Sequence, residues 1–313
     1  MEISIIGASG KIGTAISVLL AKEKYVRHIN LISREKSLNK LKGLKLDIYD
    51  AIAAEGLDVE ISVHDEKDLS VVCNSKITII PAGAPRTGNM TRLNLAKKNA
   101  GIVKRYAKEI GKTCDTKLFM ITNPVDVMTQ KALVESGYDK SQVFGLGTHL
   151  DSMRFKVAIA KYFNAHIGDV RTRIIGEHGD SMVPLLSATA IGGIPITRLP
   201  EYKDFPYNNI VDFVKNGGKR IIELKGGSEY GPASAVLNVV RCIANDSKKY
   251  LTLSTYLDGE LDNIKGVCIG APVVIGKKGI ERIVPIELEE QEFNDFKKSV
   301  EIVKKYWNEV KDI

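Results

Sequence analysis

The sequence predicts an α/β protein, with a doubly wound parallel sheet in the N-terminal half and an α+β domain with antiparallel strands in the C-terminal half. In the first half, short apolar runs alternate with segments of helical periodicity, as in parallel sheets that are covered by helices. A glycine-rich turn separates the first strand from the first helix. In the second half the helices are longer, and three late apolar runs follow one another across short turns. We place the division between residues 146 and 147.

The composition excludes several classes of protein. The chain has 313 residues, is 44% hydrophobic and 27% charged, and carries a formal net charge of +7, which suits a globular protein with a sizeable core. No basic stripe alternates with aromatic residues, so we expect no nucleic-acid partner. No apolar stretch is long enough to span a membrane, and Gly7 and Lys11 interrupt the first one, which argues against a signal peptide. The positive balance suits an anionic small molecule.

The four cysteines stand far apart in the chain: Cys73, Cys114, Cys242 and Cys268. None belongs to a C-x-x-C pair, so their spacing indicates neither a metal site nor a dithiol redox motif. We expect buried, reduced thiols, as in a cytoplasmic protein, and no bound metal.

A glycine motif follows the first predicted strand, residues 3–6. It reads Gly7-Ala8-Ser9-Gly10-Lys11-Ile12-Gly13. A helical apolar repeat comes next, so the motif has the strand–turn–helix setting of a Rossmann-type dinucleotide site. Gly7 would permit the tight turn, Gly10 the approach of a pyrophosphate to the helix N-terminus, and Gly13 close packing of helix and strand. A plain strand–helix turn is the alternative. Residues 1–146 are thus predicted to bind a dinucleotide, and residues 147–313 the substrate.

The end of the second predicted strand, residues 29–32, bears on the choice of cofactor. NAD sites place a carboxylate there to bind the ribose hydroxyls, whereas this chain has Ser33-Arg34-Glu35. Ser33 would not repel a 2′-phosphate, and Arg34 could pair with it. The sequence therefore favours NADP(H), with NAD(H) possible. In the alternative, Arg34 is an ordinary surface residue and Glu35 binds the ribose.

Two arginines lie in a loop rich in glycine and proline, residues 81–92, between a predicted strand (77–80) and a predicted helix (93–112). Arg86 and Arg92 are six residues apart. Loops at the carboxyl ends of parallel strands bind ligands in open α/β sheets, and mobile ones act as lids. Ordinary surface arginines are the alternative. The next strand, residues 117–121, ends at Asn123, whose amide can donate and accept hydrogen bonds.

Asp151 and Arg154 share one face of a helix predicted from residue 148, because they are spaced i, i+3. They predict either an intrahelical ion pair or two groups aimed at one cavity. A strand predicted over residues 170–175 then leads into Gly176-Glu177-His178-Gly179-Asp180-Ser181. Histidine has the unperturbed pKa nearest neutrality, and on a glycine turn at a strand end it is a candidate base. A capped turn with a surface histidine is the alternative.

Taken together, these motifs resemble those of the lactate/malate dehydrogenase family along nearly the whole chain. Five motifs carry the resemblance: residues 7–13, Arg86 with Arg92, Ile121-Thr122-Asn123-Pro124, Leu150-Asp151-Ser152-Met153-Arg154, and Gly176-Glu177-His178-Gly179-Asp180. The resemblance implies hydride transfer between a 2-hydroxy acid and a nicotinamide ring, in a homodimer or homotetramer. His149, beside the fourth motif, is a rival base that fits the family less well than His178.

The resemblance also implies roles for individual residues. His178 would accept the hydroxyl proton and Asp151 would orient its ring; Arg154 would bind the substrate carboxylate and Arg92 would polarise the carbonyl. The remaining substrate contacts would come from Asn123, Ser228 and Arg86. The implied cofactor-binding residues are Gly7, Ala8, Ser9, Gly10, Lys11, Ile12, Gly13, Ser33, Arg34, Ala82, Gly83, Asn99, Thr122 and Asn123.

Arg86 decides the expected substrate, because a second carboxylate buried under a closed lid needs a cation. Malate-type members carry arginine there, so the expected pair is malate and oxaloacetate. Lactate or another 2-hydroxy acid, including one with a different anionic group at its far end, is the nearest alternative. A non-catalytic nucleotide sensor is a further one, but it would have no use for these arginines together with His178.

Overall fold

A nine-stranded sheet built from both halves of the chain organises the described residues, 1–84 and 91–313, of the computed structural model. Its parallel part comprises β1 (Glu2–Ile6), β2 (His28–Ser33), β3 (Glu60–Asp65), β4 (Ile77–Ile80), β5 (Lys117–Met120) and β6 (Val143–Gly145). These strands pair in the order β3-β2-β1-β4-β5-β6. The order reverses between β1 and β4, which is the switch point where such sheets bind ligands.

Helices lie between these strands and after the last of them. They are α1 (Lys11–Ala21), α2 (Leu38–Ala53), α3 (Arg92–Thr113), α4 (Val125–Ser136) and α5 (His149–Tyr162). Because crossovers between parallel strands are right-handed, the reversal of strand order places helices on both faces of the sheet. The start of α3 is fixed by Thr91, whose hydroxyl accepts a hydrogen bond from the Asn94 N–H at 3.1 Å, a typical N-cap. The predicted doubly wound sheet is confirmed.

The segment after α5 is less regular than the sequence predicted. Its short strands are β7 (Val170–Arg171), β8 (Ile174–Ile175), β9 (Val183–Pro184), β10 (Ala190–Ile191) and β11 (Ile194–Pro195). The strand predicted over 170–175 is wrong as one element, since β7 pairs with β10 and β8 with β9. Thr172 lies between the two halves, buried, with its hydroxyl 2.7 Å from that of Thr189.

The C-terminal part adds the elements α6 (Tyr207–Lys215), α7 (Gly217–Lys225), α8 (Tyr230–Ala244), β12 (Lys249–Asp258), β13 (Lys265–Gly276), β14 (Gly279–Ile283) and α9 (Glu290–Asn308). The helices α6 and α7 are separate elements, because the chain breaks at Asn216 before Gly217 and Gly218. The antiparallel strands β12 to β14 are confirmed, and β12 pairs with β6 so that they extend the parallel sheet. The predicted division at residue 146 therefore falls within a continuous sheet.

Apolar side chains from both halves form one core around this sheet, and a second cluster lies around α5 and α6. The helix α8 packs on α1, and α9 packs on β13. The first core thus extends across the predicted domain boundary, so the relative placement of the two halves is fixed by packing.

The prediction of four reduced thiols is wrong for two of them. Cys73 and Cys114 form a disulfide, with their Cα atoms 4.4 Å apart across 41 residues of sequence. The chain folds the end of α3 against the short 3₁₀ helix at residues 70–74, a proximity that sequence spacing does not reveal. Cys242 and Cys268 are free and buried, as predicted. In the described ranges no helix is long and apolar enough to cross a membrane.

Candidate active site

His178 and Asp151 form the centre of the candidate site. Nδ1 of His178 lies 2.5 Å from Oδ2 of Asp151, which is fully buried near the start of α5. Burial opposes a charged ring, but the carboxylate of Asp151 outweighs it and raises the pKa of His178 above its usual value. The bond at Nδ1 leaves Nε2 as the other ring nitrogen available to a ligand.

Arg154 joins this pair from the next turn of α5. Its Nη1 donates to Oδ1 of Asp151 at 3.2 Å, and 18% of its side chain remains exposed. The i, i+3 spacing thus produces both arrangements considered from the sequence: an intrahelical ion pair and a shared location beside His178. Because a guanidinium has five N–H donors, Arg154 retains donors for a carboxylate ligand.

A second buried carboxylate supports the histidine turn, and sequence reasoning missed it. Oδ2 of Asp126, in the first turn of α4, accepts a hydrogen bond from the His178 N–H at 2.8 Å. Burial raises the pKa of Asp126 to about 6, although the His178 N–H opposes this. Asp126 follows the Asn123-Pro124 motif. The signal that the sequence offered was an acidic residue close to the end of a predicted strand. Asp126 fixes the backbone at His178.

Two further contacts anchor the turn from distant parts of the chain. Gly176, at φ +88°, exchanges two backbone hydrogen bonds with Gly270 of β13. The Glu177 N–H donates to Oγ of Ser299, in α9, at 2.7 Å. The predicted glycine turn is therefore present, and its rigidity comes from elements that lie about 100 residues further along the chain.

His149, the rival base, is occupied elsewhere. It is 7% exposed, and its Nε2 lies 3.1 Å from Oδ1 of Asn238 in α8. Burial lowers its pKa to about 4. A base that is buried, bonded at Nε2 and this weak is poorly suited to accept a substrate proton near neutral pH, which favours His178.

Arg92 contacts the same turn from the first residue of α3. Its Nη1 lies 3.1 Å from Oε1 of Glu177 and 3.2 Å from the carbonyl oxygen of His178, and its Nη2 lies 3.2 Å from Oδ1 of Asp180. A Cβ at Gly179 would lie 2.0 Å from Nη1, so only glycine admits this approach. The sequence suggested no role for the two acids; the structure shows them binding Arg92. Arg86 lies outside the described residues.

The glycine turn has the shape of a cradle for an anion. Gly7 adopts φ +95°, and a Cβ there would lie 2.7 Å from the Ala82 backbone. At Gly10, by contrast, a Cβ would meet only the Gly7 carbonyl oxygen, at 3.4 Å, so the protein leaves space beside this residue. No side chain caps the N-terminus of α1 and its first turn contains no acid. Open space at an uncapped helix N-terminus fits a pyrophosphate.

The end of β2 carries the predicted cofactor-selecting residues. Ser33 is buried, and its hydroxyl lies 2.7 Å from that of Ser9 in the glycine turn. Arg34 is exposed. Glu35, the alternative ribose ligand, pairs with Lys67 at 2.8 Å. This arrangement leaves the predicted ribose position without a free carboxylate on residues 33–35.

The remaining predicted residues line the ends of β4 and β5. The Thr122 hydroxyl donates to the Ala82 carbonyl at 2.7 Å. Asn99 accepts from the Ala84 N–H and donates to the Asn123 carbonyl, both at 2.7 Å. The polar groups of Thr122 and Asn99 thus brace the two strand ends. A Cβ at Gly83 would collide with the Thr122 methyl group, while the Asn123 side chain is exposed.

Lys11 links the glycine turn to the loop that contains Ser228. Its ammonium donates to the Gly226 carbonyl at 2.7 Å. Ser228 is half-buried two residues further on, between α7 and α8. The link brings the predicted cofactor turn and the Ser228 loop together, whereas no hydrogen bond of the described residues joins Ser228 to His178. In the same ranges, no cluster of three or more metal-ligating side chains is found.

The chain belongs to the lactate/malate dehydrogenase family. Residues 1–145 match the model "lactate/malate dehydrogenase, NAD binding domain", and residues 148–313 match "lactate/malate dehydrogenase, alpha/beta C-terminal domain". The predicted family is thus confirmed.

Named relatives match over the full length of the chain. A malate dehydrogenase of Methanococcus maripaludis is 62% identical, and an L-2-hydroxycarboxylate dehydrogenase (NAD(P)(+)) of Methanocaldococcus jannaschii is 59% identical; each alignment covers 100% of both chains. Among solved structures, the malate dehydrogenase of Cryptosporidium parvum is 35% identical and superposes with a TM-score of 0.91, covering 100% of this chain and 99% of that one.

Proposed function

We propose that the protein is an NAD(P)-dependent malate dehydrogenase that interconverts (S)-malate and oxaloacetate and prefers NADP(H) to NAD(H). The observation that carries the proposal is the hydrogen bond between His178 and Asp151, with Arg154 on the same carboxylate. The names of the relatives, malate dehydrogenase and L-2-hydroxycarboxylate dehydrogenase (NAD(P)(+)), support the substrate class and the mixed cofactor use.

Proton transfer at His178 is the chemical step that the protein's own residues supply. In malate oxidation, Nε2 accepts the hydroxyl proton while the carbonyl forms; in oxaloacetate reduction it returns that proton to the oxygen. Asp151 holds Nδ1, keeps Nε2 directed at the substrate and stabilises the imidazolium. Asp126 holds the backbone of the same residue. The raised pKa of His178, which Asp151 causes, favours the protonated ring that returns the proton to oxaloacetate.

Arginines bind the two ends of the dicarboxylate. Arg154 pairs with the carboxylate next to the reacting carbon through two parallel N–H donors. Arg92 stabilises negative charge on the carbonyl oxygen, for which it exchanges its contacts with Glu177 and Asp180. Arg86 pairs with the far carboxylate. Asn123 and Ser228 complete the pocket by hydrogen bonding.

The nicotinamide cofactor, when bound, accepts or supplies the hydride. Residues 7–13 would hold its pyrophosphate at the N-terminus of α1, where the open space beside Gly10 fits that group. Ser33 and Arg34 accommodate the 2′-phosphate, since a carboxylate would repel it there. The strand ends that Thr122 and Asn99 brace, together with Ala82 and Gly83, would contact the rest of the cofactor.

An absorbance assay with NADPH and NADH against a panel of 2-oxo acids tests the proposal. The expected result is fastest turnover with oxaloacetate and a higher kcat/KM for NADPH than for NADH. Faster turnover of pyruvate would support a lactate dehydrogenase instead, and no oxidation with any 2-oxo acid would support a nucleotide sensor. Arg86→Gln should lower the efficiency ratio of oxaloacetate to pyruvate; an unchanged ratio would contradict the role of Arg86.

A homo-oligomer, dimer or tetramer, completes the proposal. Its support in this chain is the exposed apolar surface of α6 and α7, where Phe213 is 47%, Ile222 56% and Leu224 89% exposed. Light scattering of the purified protein tests it, and a monomeric mass at micromolar concentration would contradict it.

A further inference from the structure

Lys40 reaches from α2 to the glycine turn. It lies in the first turn of the helix, and its ammonium donates to the Ser9 carbonyl at 2.7 Å. Ser9 is also the residue whose hydroxyl lies 2.7 Å from that of Ser33. The ammonium of Lys40, which lies outside the Ser33-Arg34-Glu35 segment, is thus close to the Ser9–Ser33 pair, where the ribose is expected to bind. An ammonium has three donors, and this contact uses one.

The charges around the serine pair favour an anion there. The first turn of α2 contains no acid and no side chain caps its N-terminus, so the helix dipole adds positive potential. Arg34 is exposed beside Ser33. Of the nearby acids, Glu35 pairs with Lys67. Asp65, level with Ser33 on β3, accepts from the Lys67 N–H at 2.9 Å.

We propose that Lys40 is a second cation for the 2′-phosphate of NADP(H), acting with Ser33 and Arg34 as a specificity-determining residue. This assignment rests on the proposed preference for NADP(H). Arg34 follows Ser33 directly in the chain, whereas Lys40 reaches the glycine turn from α2 through the Ser9 carbonyl. A dianionic 2′-phosphate bound beside the serine pair would be matched by two cations, whereas a ribose hydroxyl in that place gains little from either.

Binding of two small probes tests the assignment without any turnover. Adenosine 2′,5′-bisphosphate and AMP differ only by the 2′-phosphate, and isothermal titration calorimetry gives the dissociation constant of each. Lys40→Met keeps the aliphatic stem and removes the charge. It should raise the dissociation constant of the bisphosphate about tenfold and leave that of AMP unchanged. Lys40→Arg should retain tight binding. Because Lys40 is exposed, the effect should shrink as salt is raised.

Lys42→Met is the matched control. Lys42 is exposed on the same helix but two residues further, so it points away from Lys40, and its loss changes the net charge equally. If Lys40→Met weakened AMP binding as much as bisphosphate binding, Lys40 would only stabilise the glycine turn. If Lys42→Met weakened bisphosphate binding as much as Lys40→Met, Lys40 would contribute only to the overall positive potential. Either result would overturn the assignment.

The two levels of the proposal fail in different ways. A wild-type protein that binds AMP as tightly as the bisphosphate would contradict the NADP(H) preference itself. A wild-type protein that prefers the bisphosphate, with Lys40→Met unchanged in that preference, would overturn the role of Lys40 alone. Melting temperatures within a degree or two of wild type would show that the variants are folded, and Lys40→Gln provides a second neutral variant if Lys40→Met is not.

Discussion

Replacing Asp151 by Asn removes the charge that stabilises the imidazolium while nearly preserving the shape of the side chain. In the structure, Oδ2 of Asp151 lies 2.5 Å from Nδ1 of His178, and Asp151 is fully buried. With the two delocalised charges about 4 Å apart and an effective dielectric constant of about 20, their attraction is about 4 kcal/mol. That energy corresponds to roughly a 10³-fold change in rate, since 1.36 kcal/mol is tenfold.

We therefore expect Asp151→Asn to lower kcat/KM about 10³-fold and to change its pH dependence. The pKa of His178 is raised by Asp151, so its loss moves that pKa down. Malate oxidation requires the neutral ring, and its acid limb should move to lower pH. Oxaloacetate reduction requires the protonated ring. As pH rises, the variant should therefore lose this activity at a lower pH than the wild type does. Steady-state pH profiles in both directions measure this.

Asp180→Asn serves as the control, because Asp180 lies in the same turn and is exposed but contacts Arg92 rather than the imidazole. It should leave the acid limb in place. The reasoning about Asp151 would be refuted by pH limbs that stay where they are in Asp151→Asn, or by a loss of activity below tenfold. A folded protein, judged by its melting temperature, is required for either conclusion.

Three further predictions concern stability and cofactor binding. The pKa of Asp126, about 6, is above its usual value. The unfolding free energy of the wild type should therefore rise by up to about 3 kcal/mol relative to that of Asp126→Asn as pH falls from about 6 to about 4. Urea unfolding of both proteins measures this, and a difference that stays constant across that pH range would contradict it. Reducing the Cys73–Cys114 disulfide, which spans 41 residues, should cost up to about 4 kcal/mol of unfolding free energy, and titration of four free thiols in the unreduced protein would refute the bond. Gly10→Ala should weaken NADPH binding at least tenfold, because the new Cβ would fill the open space beside the helix N-terminus. The melting temperature should not change, because the φ of −78° suits any residue and the Cβ meets only the Gly7 carbonyl oxygen, at 3.4 Å. An unchanged affinity for NADPH would contradict the role of this turn as an anion cradle.

The sequence predicted the parallel sheet and selected the candidate site residues from local patterns. Strand–helix alternation and the glycine motif depend on neighbouring residues, and the i, i+3 spacing of Asp151 and Arg154 depends on one helix. His178 was selected as the candidate base because its glycine setting is also local. These features follow from backbone geometry over a few residues, which a sequence displays directly.

Local patterns failed where long-range contacts decided the structure. The break at Thr172 depends on its bond to Thr189, and the disulfide depends on how α3 folds back on the segment near residue 73. The roles of Asp126 and Ser299 in holding the histidine turn depend on packing across more than 50 residues. Nothing in the local sequence of either residue marks its partner.

The sequence by itself determined the fold class, the family, and which residues could carry a proton or bind an anion. Only the tertiary structure decided their electrostatic states: Asp151 raises the pKa of His178, burial makes His149 a weak base, and Arg92 pairs with Glu177 and Asp180. The physical reason is that a residue's type sets its chemistry, while its pKa and charge partners depend on distance and burial, which only the folded chain defines.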